Sequence, residues 1–314
     1  METYVLRSFV VFASFICFCN ASSLPASEAV SFQTTQFGVD IHIGKQRVAE
    51  FVHTEDPPGR PFISNVHTRD GIQVTRNYPV KEDDQADHPH HQGIFHTFSQ
   101  LNGIDYWHMH GITRHRRFVR EPQVGTKTGF VTENLYLAND RKKVLVREVI
   151  SYEFAVTPLG LLIVIDAVIT PHQDDVTLGS REEGGLAVRL ASDLRVESGA
   201  EMVDDRGRVG GGEIWGKTAR WVDNSGMKEG RWVGVTVMTH PENQRLYHWH
   251  ARNYGLLTVN PLGPLNTAPD RILKNGDSMR FRYGVLIHSS ENKQQYNPAK
   301  AQVTYEHHTS TQSR

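Results

Sequence analysis

KVLVREVISYEFAV (residues 143–156) and LLIVIDAVIT (161–170) are the two strongest strand signals in the chain, and Pro158-Leu159-Gly160 between them reads as a hairpin turn. β-Branched and aromatic residues dominate both, and such side chains suit a pleated, half-buried surface. Working outward, residues 129–138 alternate as well, and Asn139-Asp140-Arg141 supplies the turn into the first of the pair. Upstream, FGVDIHI (37–43) and RVAEFV (47–52) alternate with period two, and residues 55–61 (EDPPGRP) break the run as a turn. A short strand follows over 61–66, then a tight turn at Asp70-Gly71 with a strand beginning at Ile72. Downstream, strands are predicted over 186–192, 217–223, 231–239, 256–260 and 278–287. The count is about a dozen, with turn signals between, which predicts an all-β, antiparallel β-sandwich or barrel with few helices. One short helix is expected at 298–305, and the HHTSTQSR tail reads as disordered, its two histidines inert.

Composition narrows the class. Lys and Arg (34) balance Asp and Glu (35), which gives no global electrostatic case for nucleic acid or an acidic membrane surface. Residues 8–19 (SFVVFASFICFC) form an apolar run behind Arg7, too short to span a bilayer comfortably and followed by small residues at Ala21-Ser22-Ser23 and Ala26-Ser27. Residues 1–25 are therefore expected to be a signal peptide, which implies a periplasmic or extracellular protein with no stable membrane insertion after cleavage. Both cysteines, Cys17 and Cys19, lie inside that segment, so the remainder has no disulfide, thiolate metal site or cysteine nucleophile. No linker divides the rest, which reads as one domain over 30–300 with a disordered tail over 301–314. The glycine-rich 209–213 lacks the strand-loop-helix context of a phosphate loop.

The chemistry concentrates in residues 87–117, which hold seven of the 17 histidines. Histidine titrates near neutrality and is the commonest metal ligand. In an extended segment His88, His90 and Gln92 share one face and His91 points away, while His96 returns to the first face after Gly93. His108 and His110 share a face by the same logic. The sequence matches no HExxH or CxxC pattern, so metal binding stays an open reading. A second segment, HPENQRLYHWHARNYGLLTVNP (240–261), puts His248 and His250 on one face with Arg252, Asn253 and Tyr254 behind them. A guanidinium, an amide and an aromatic face together suit the gripping of hydroxyls or a carboxylate. Trp107 and Trp249 read either as sugar-stacking platforms or as core. Glu182-Glu183 is a carboxylate pair of which only one is expected to face a given site. Arg114 to Arg117 (RHRR) reads as a solvated basic patch, and residues 120–128 as a loop.

DHPHHQGIFH (87–96), NGIDYW (102–107), EEGGLAVR (182–189) and the 240–263 stretch ending NPLG resemble, in order, the motifs of a bacterial secreted family of unknown function labelled "methane oxygenase PmoA". The resemblance runs from about residue 35 to 290 and implies a supersandwich similar to the galactose-mutarotase architecture. Gln92 stands where that family commonly has arginine, and Leu262 where it has phenylalanine. The expectation is a protein acting on a small-molecule or oligosaccharide ligand, a carbohydrate or related polyhydroxy compound, as a hydrolase, lyase or epimerase. His90 or His91 would act as general acid/base with Glu183 as counter-group. Arg189, Trp107, His248, His250, Arg252, Asn253 and Tyr254 would hold substrate. If a divalent metal takes part, His88, His90 and His250 are its expected ligands. The alternatives are a non-catalytic carbohydrate-binding module and a His-ligated redox protein.

Overall fold

The computed structural model describes Met1 and residues 29–53, 59–82, 84–85, 87–263 and 269–311. The expected signal peptide lies outside the described residues, as do most of the 55–61 turn and part of the 81–86 loop. The strands of the first half are β1 (Val30–Thr34), β2 (Gly38–Ile43), β3 (Gln46–Val52), β4 (Phe62–Ser64), β5 (Ile94–Phe98), β6 (Ile112–Gln123), β7 (Gly129–Leu137), β8 (Val144–Thr157) and β9 (Gly160–Pro171). The second half adds β10 (Val176–Leu178), β11 (Gly184–Arg189), β12 (Glu201–Asp204), β13 (Trp221–Lys228), β14 (Arg231–Thr239), β15 (His248–Arg252), β16 (Leu256–Asn260), β17 (Arg271–Leu273) and β18 (Met279–Ser290). A helical turn α1 (Gly211–Ile214) and a helix α2 (Pro298–Thr311) complete the order.

The strands form two eight-stranded antiparallel sheets, stacked as a sandwich. The first runs β1-β2-β3-β4-β5-β11-β16-β15 and the second β12-β13-β14-β18-β9-β8-β7-β6, with β10 and β17 pairing separately. The β8–β9 hairpin is the spine of the second sheet, in register from Thr157↔Gly160 to Val146↔Pro171. Its alternation turns Val146, Ile150, Tyr152 and Phe154 inward beside Ile163, Ile165, Ala167 and Ile169. They meet Val39, Ile41, Phe51, Ile63, Ile94, Phe98, Leu186, Val188 and Val259 of the first sheet in one continuous cluster. Each such fully buried side chain contributes about 1.5–3 kcal/mol.

Three stretches depart from expectation. Residues 112–123, divided between a histidine cluster and a loop in the sequence reading, form one twelve-residue edge strand, β6. Its alternation is hidden because an edge strand faces water and because three register shifts interrupt its pairing with β7. The C-terminal tail is not disordered over its described part: α2 starts at Pro298, as expected, but runs to Thr311. Proline suits the first helical turn, and Asn297 Oδ1 accepts the Ala299 N–H at 3.0 Å. Ala301 and Tyr305 bury against Leu162, Trp221, Met238 and Leu286 on the outer face of the second sheet, and that apolar contact anchors the helix. The strand expected from Ile72 reduces to isolated bridges, His67↔Gln73 and Thr75↔Leu190.

Candidate functional site

The candidate site lies on the face of the first sheet that points away from the sandwich interior. Pairing registers align Phe95 (β5), Ala187 (β11), Thr258 (β16) and His250 (β15) in one row across four strands. The next row carries Arg189, Leu256 and Arg252. A second apolar cluster, Val52, Phe62, Phe95, Trp107, Ala187 and Leu256, with Tyr254 packed against it, makes the base.

Two loops are pinned over this base by buried arginines bonded to carbonyls. Arg60 lies with its guanidinium 4.0 Å over the Phe95 ring and donates to the Tyr106, Trp107 and His90 carbonyls. Arg76 donates to the carbonyls of Gln85 (2.6 Å), Asp87 (2.6 Å) and His88 (3.0 Å). Arg189, 2% exposed, donates to Asp87 Oδ1 at 2.7 Å, and the other carboxylate oxygen lies 3.1 Å from His88 Nδ1. Burial pushes the Asp87 carboxyl up, but Arg189 and His88 outweigh it and the net shift is downward.

The histidine loop is a turn, not an extended strand. The His91 N–H donates to the His88 carbonyl, and Gly93 has φ +80°, where a side chain would be strained and would collide with Ile63. His91 is consequently the buried member, its ring parallel to His88 at 4.9 Å and edge-on to Trp107 at 5.6 Å. Tyr254 continues the stack on His88 at 4.7 Å, with Arg189 over its ring. His90 sits 4.6 Å from His108. Burial, then the neighbouring charges of His108, Arg60 and His88, pull His90 down to about 3, and burial with His90 and Arg189 pulls His91 lower still. Both imidazoles are neutral at ordinary pH. The buried ring nitrogens of His91, the indole N–H of Trp107 and two guanidinium nitrogens of Arg189 have no protein partner.

Around this stack stand three acid–base groupings. In the 105–110 turn, Asp105 Oδ1 accepts the His108 backbone N–H at 3.0 Å and Oδ2 meets His108 Nδ1 at 2.8 Å. That pairing leaves Nε2 as the acceptor nitrogen. Glu183 packs on Ser99, whose hydroxyl donates to the Glu183 carbonyl at 2.6 Å and lies 3.4 Å from Oε2. Burial raises the Glu183 carboxyl, and Glu182 and Asp105 raise it further against the pull of His108. Glu182 takes Arg252 Nη2 at 3.2 Å and lies 3.7 Å from His250 Nδ1. His250 receives Trp215 Nε1 on Nδ1 and Arg252 Nε on Nε2, both at 3.2 Å. Burial first, then Arg252 and His88, bring it down to about 3.

The structure thus gathers His88, His90, His91, Glu183, Arg189, His250, Arg252 and Tyr254 into one neighbourhood, and it corrects the sequence reading at several positions. His96 turns into the sandwich interior, where Nδ1 meets Glu148 Oε1 at 2.7 Å, because its strand register sets it opposite core residue Leu186. Both Glu182 and Glu183 reach the site, since β11 begins only at Gly184 and no strand alternation separates them. Trp107 is fully buried as the base under His91, not a platform. Asn253 turns to α1, its Oδ1 accepting the Gly211 N–H at 2.7 Å, while half-buried His248 stays two residues from His250 on β15, its backbone bridged to Thr218. Among the described residues no three His, Cys, Asp or Glu are placed to hold a metal ion. The expected His88, His90 and His250 set does not form, because the His88 ring is stacked between Tyr254 and His91 and both His250 nitrogens face donors.

Sequence reasoning missed Arg60, Arg76, Ser99, Trp215 and the Asp105–His108 pairing. Only the last left a signal, the D-x-x-H spacing on a turn.

Fold and site together define an antiparallel β-sandwich bearing a His-, Glu- and Arg-lined site on the outer face of one sheet. The chain belongs to the family of unknown function DUF6807, whose model matches residues 38–302. That it is a family of unknown function agrees with the expectation; its description does not carry the PmoA label. A comparison with curated proteins finds no match. Among solved structures the chain is similar to a putative kojibiose phosphorylase from human microbiome, at 9% identity and a TM-score of 0.41. That match covers 91% of this chain and 34% of the other, so the chain spans about a third of its length. No helix among the described residues is long and apolar enough to cross a membrane.

Proposed function

We propose that the protein is an exported enzyme that acts on a carbohydrate or related polyhydroxy compound by acid–base chemistry. The observation that carries this reading is Glu183: a half-buried carboxyl with a raised pKa, within electrostatic reach of the Asp105-oriented His108. A carboxyl raised above its ordinary range within reach of an oriented imidazole is the pairing acid–base catalysis requires. His108 Nε2 takes a proton from a substrate hydroxyl or carbon, and Glu183 gives one to the oxygen that gains charge. Neutral His90 and His91 are poor proton donors, and here they orient hydroxyls. Arg252, Glu182 and Tyr254 supply further polar and stacking contacts. The PmoA-like motif positions belong to this same reading, since Asp87, His88, Trp107, Arg189 and Tyr254 build the site's frame.

The test is turnover of a panel of neutral and acidic oligosaccharides, with products read by NMR for hydrolysis, elimination and epimerisation alike. One substrate class is expected to turn over, and Glu183→Gln and His108→Asn are each expected to slow it about 10²–10⁴-fold. Wild-type rates in both variants would overturn the assignment. Cell fractionation of the full chain tests export.

A further inference from the structure

The opposite face of the molecule, the outer face of the second sheet, carries chemistry that the candidate site does not use. α2 packs over β13, β14 and β18 and also touches Leu162 of β9 and, through His308, Glu153 of β8; the arginines lie beside it, on β6, β8 and β18. Pairing registers set arginines there in three neighbouring rows. Arg114 and Arg147 stand in the first, Arg117 and Arg280 in the second, and Arg120 and Arg282 in the third. Rows two residues apart lie roughly 7 Å from one another, and neighbouring strands about 4.8 Å.

The placement is built. Arginines at 114, 117 and 120 are three apart, so in a regular strand Arg117 would face the interior. Register shifts between His115 and Arg117 and between Phe118 and Arg120 bring all three to one face. The extra residue of the first shift, Arg116, also reaches outward. Beneath them Glu133, with a fully buried side chain, takes Arg116 at 3.3 Å, Arg117 at 2.7 Å and Arg147 at 2.6 Å. One inaccessible carboxylate thus orders three guanidiniums that are each about half exposed. Asp166 pairs with Arg280, and Glu242 from the adjoining segment takes Arg282 at 2.8 Å. Seven arginines on or beside these rows face three carboxylates counted the same way, Glu133, Asp166 and Glu242, on a chain whose formal net charge is −1. This face therefore carries a local excess of positive charge.

We propose that this face docks a polyanionic polysaccharide, a chain bearing carboxylate or sulfate groups along its length. Planar guanidiniums match such oxyanions two bonds at a time, and a flat array suits an extended polymer. The rows contain no aromatic side chain on which bases could stack, which disfavours single-stranded nucleic acid. The choice of polysaccharide rests on the carbohydrate reading above, whereas the charge argument stands without it.

The experiment measures binding of the purified protein to polygalacturonate and heparin across a salt series. Dextran, a single-stranded oligonucleotide and phosphatidylserine vesicles are the controls. Arg116→Ala/Arg120→Ala leaves Glu133 paired with Arg117 and Arg147. A second variant, Arg117→Gln/Arg147→Gln/Glu133→Gln, removes the buried charge together with two of its three partners, so that neither depends on an unpaired carboxylate for folding. Each is expected to bind at least one of the two acidic polysaccharides about tenfold more weakly, with a shallower salt slope. Unchanged affinity in both, or no wild-type binding at low salt, overturns the proposal. Oligonucleotide or vesicle binding as tight as polysaccharide binding overturns the choice of ligand. Glu183→Gln should bind like wild type, which separates failure here from failure of the acid–base reading.

Discussion

Asp87 decides whether the histidine loop keeps its shape. Its carboxylate ties Arg189, which lies over the Tyr254 ring, to His88, and its folded pKa is lowered despite partial burial. A lowered carboxylate stabilises the folded loop above its unfolded pKa, and that contribution is lost as pH falls through the folded value. Acid titration followed by NMR of the histidine ring protons should show the loop loosening only below the ordinary aspartate range, and Asp87→Asn should remove that transition. Glu183 works in the opposite sense. Its raised pKa keeps the acid form to higher pH, so activity should fall as pH rises through that value. Glu182 is one of the charges holding it up, and Glu182→Gln should move the alkaline limb of the pH–rate profile to lower pH.

Among the elements, β8 carries an apparent contradiction. Its alternation places Glu148, 1% exposed, on the interior face. The carboxylate is accommodated because its two oxygens take His96 at 2.7 Å, Tyr136 at 3.0 Å and Asn134 at 3.0 Å. Leaving a buried hydrogen-bonding group without its partner costs about 1–3 kcal/mol. Glu148→Ala should lose that much in urea denaturation, whereas a joint His96→Leu, Glu148→Leu replacement should lose less than the two single changes summed. Helix α2 depends on Tyr305, fully buried on the second sheet. Tyr305→Ala should cost about 3–5 kcal/mol by the usual toll of aromatic truncation, and hydrogen exchange should show α2 opening ahead of β8 and β9.

For the whole molecule, the largest apolar cluster joins both sheets, so neither sheet buries its inner face without the other. Unfolding is expected to be a single transition, with far-UV circular dichroism and tryptophan fluorescence coincident. The probes are well placed, since Trp249 lies in the first sheet and Trp221 and Trp232 in the second. Separated midpoints would show that the sheets unfold independently. The same architecture keeps the acid–base site and the arginine rows on opposite outer faces, so variants in one should leave the other's readout unchanged.

Alternation over five to fourteen residues is a local property, and it was legible from the chain alone. It gave the all-β class, the β8–β9 hairpin, the shared face of His248 and His250, and the segments from which the site is assembled. What lay beyond it depends on contacts between residues far apart in sequence. The pairing of β5 with β11 sends His96 to Glu148 and away from its sequence neighbours. Arg60 and Arg76 look like isolated surface cations until the fold brings loop carbonyls to them. The turn at His88–His91 buries His91 against His88, and the stacking it creates removes the expected metal set. Local periodicity reports which side of a strand a residue occupies. Only sheet order and loop packing decide what stands opposite it.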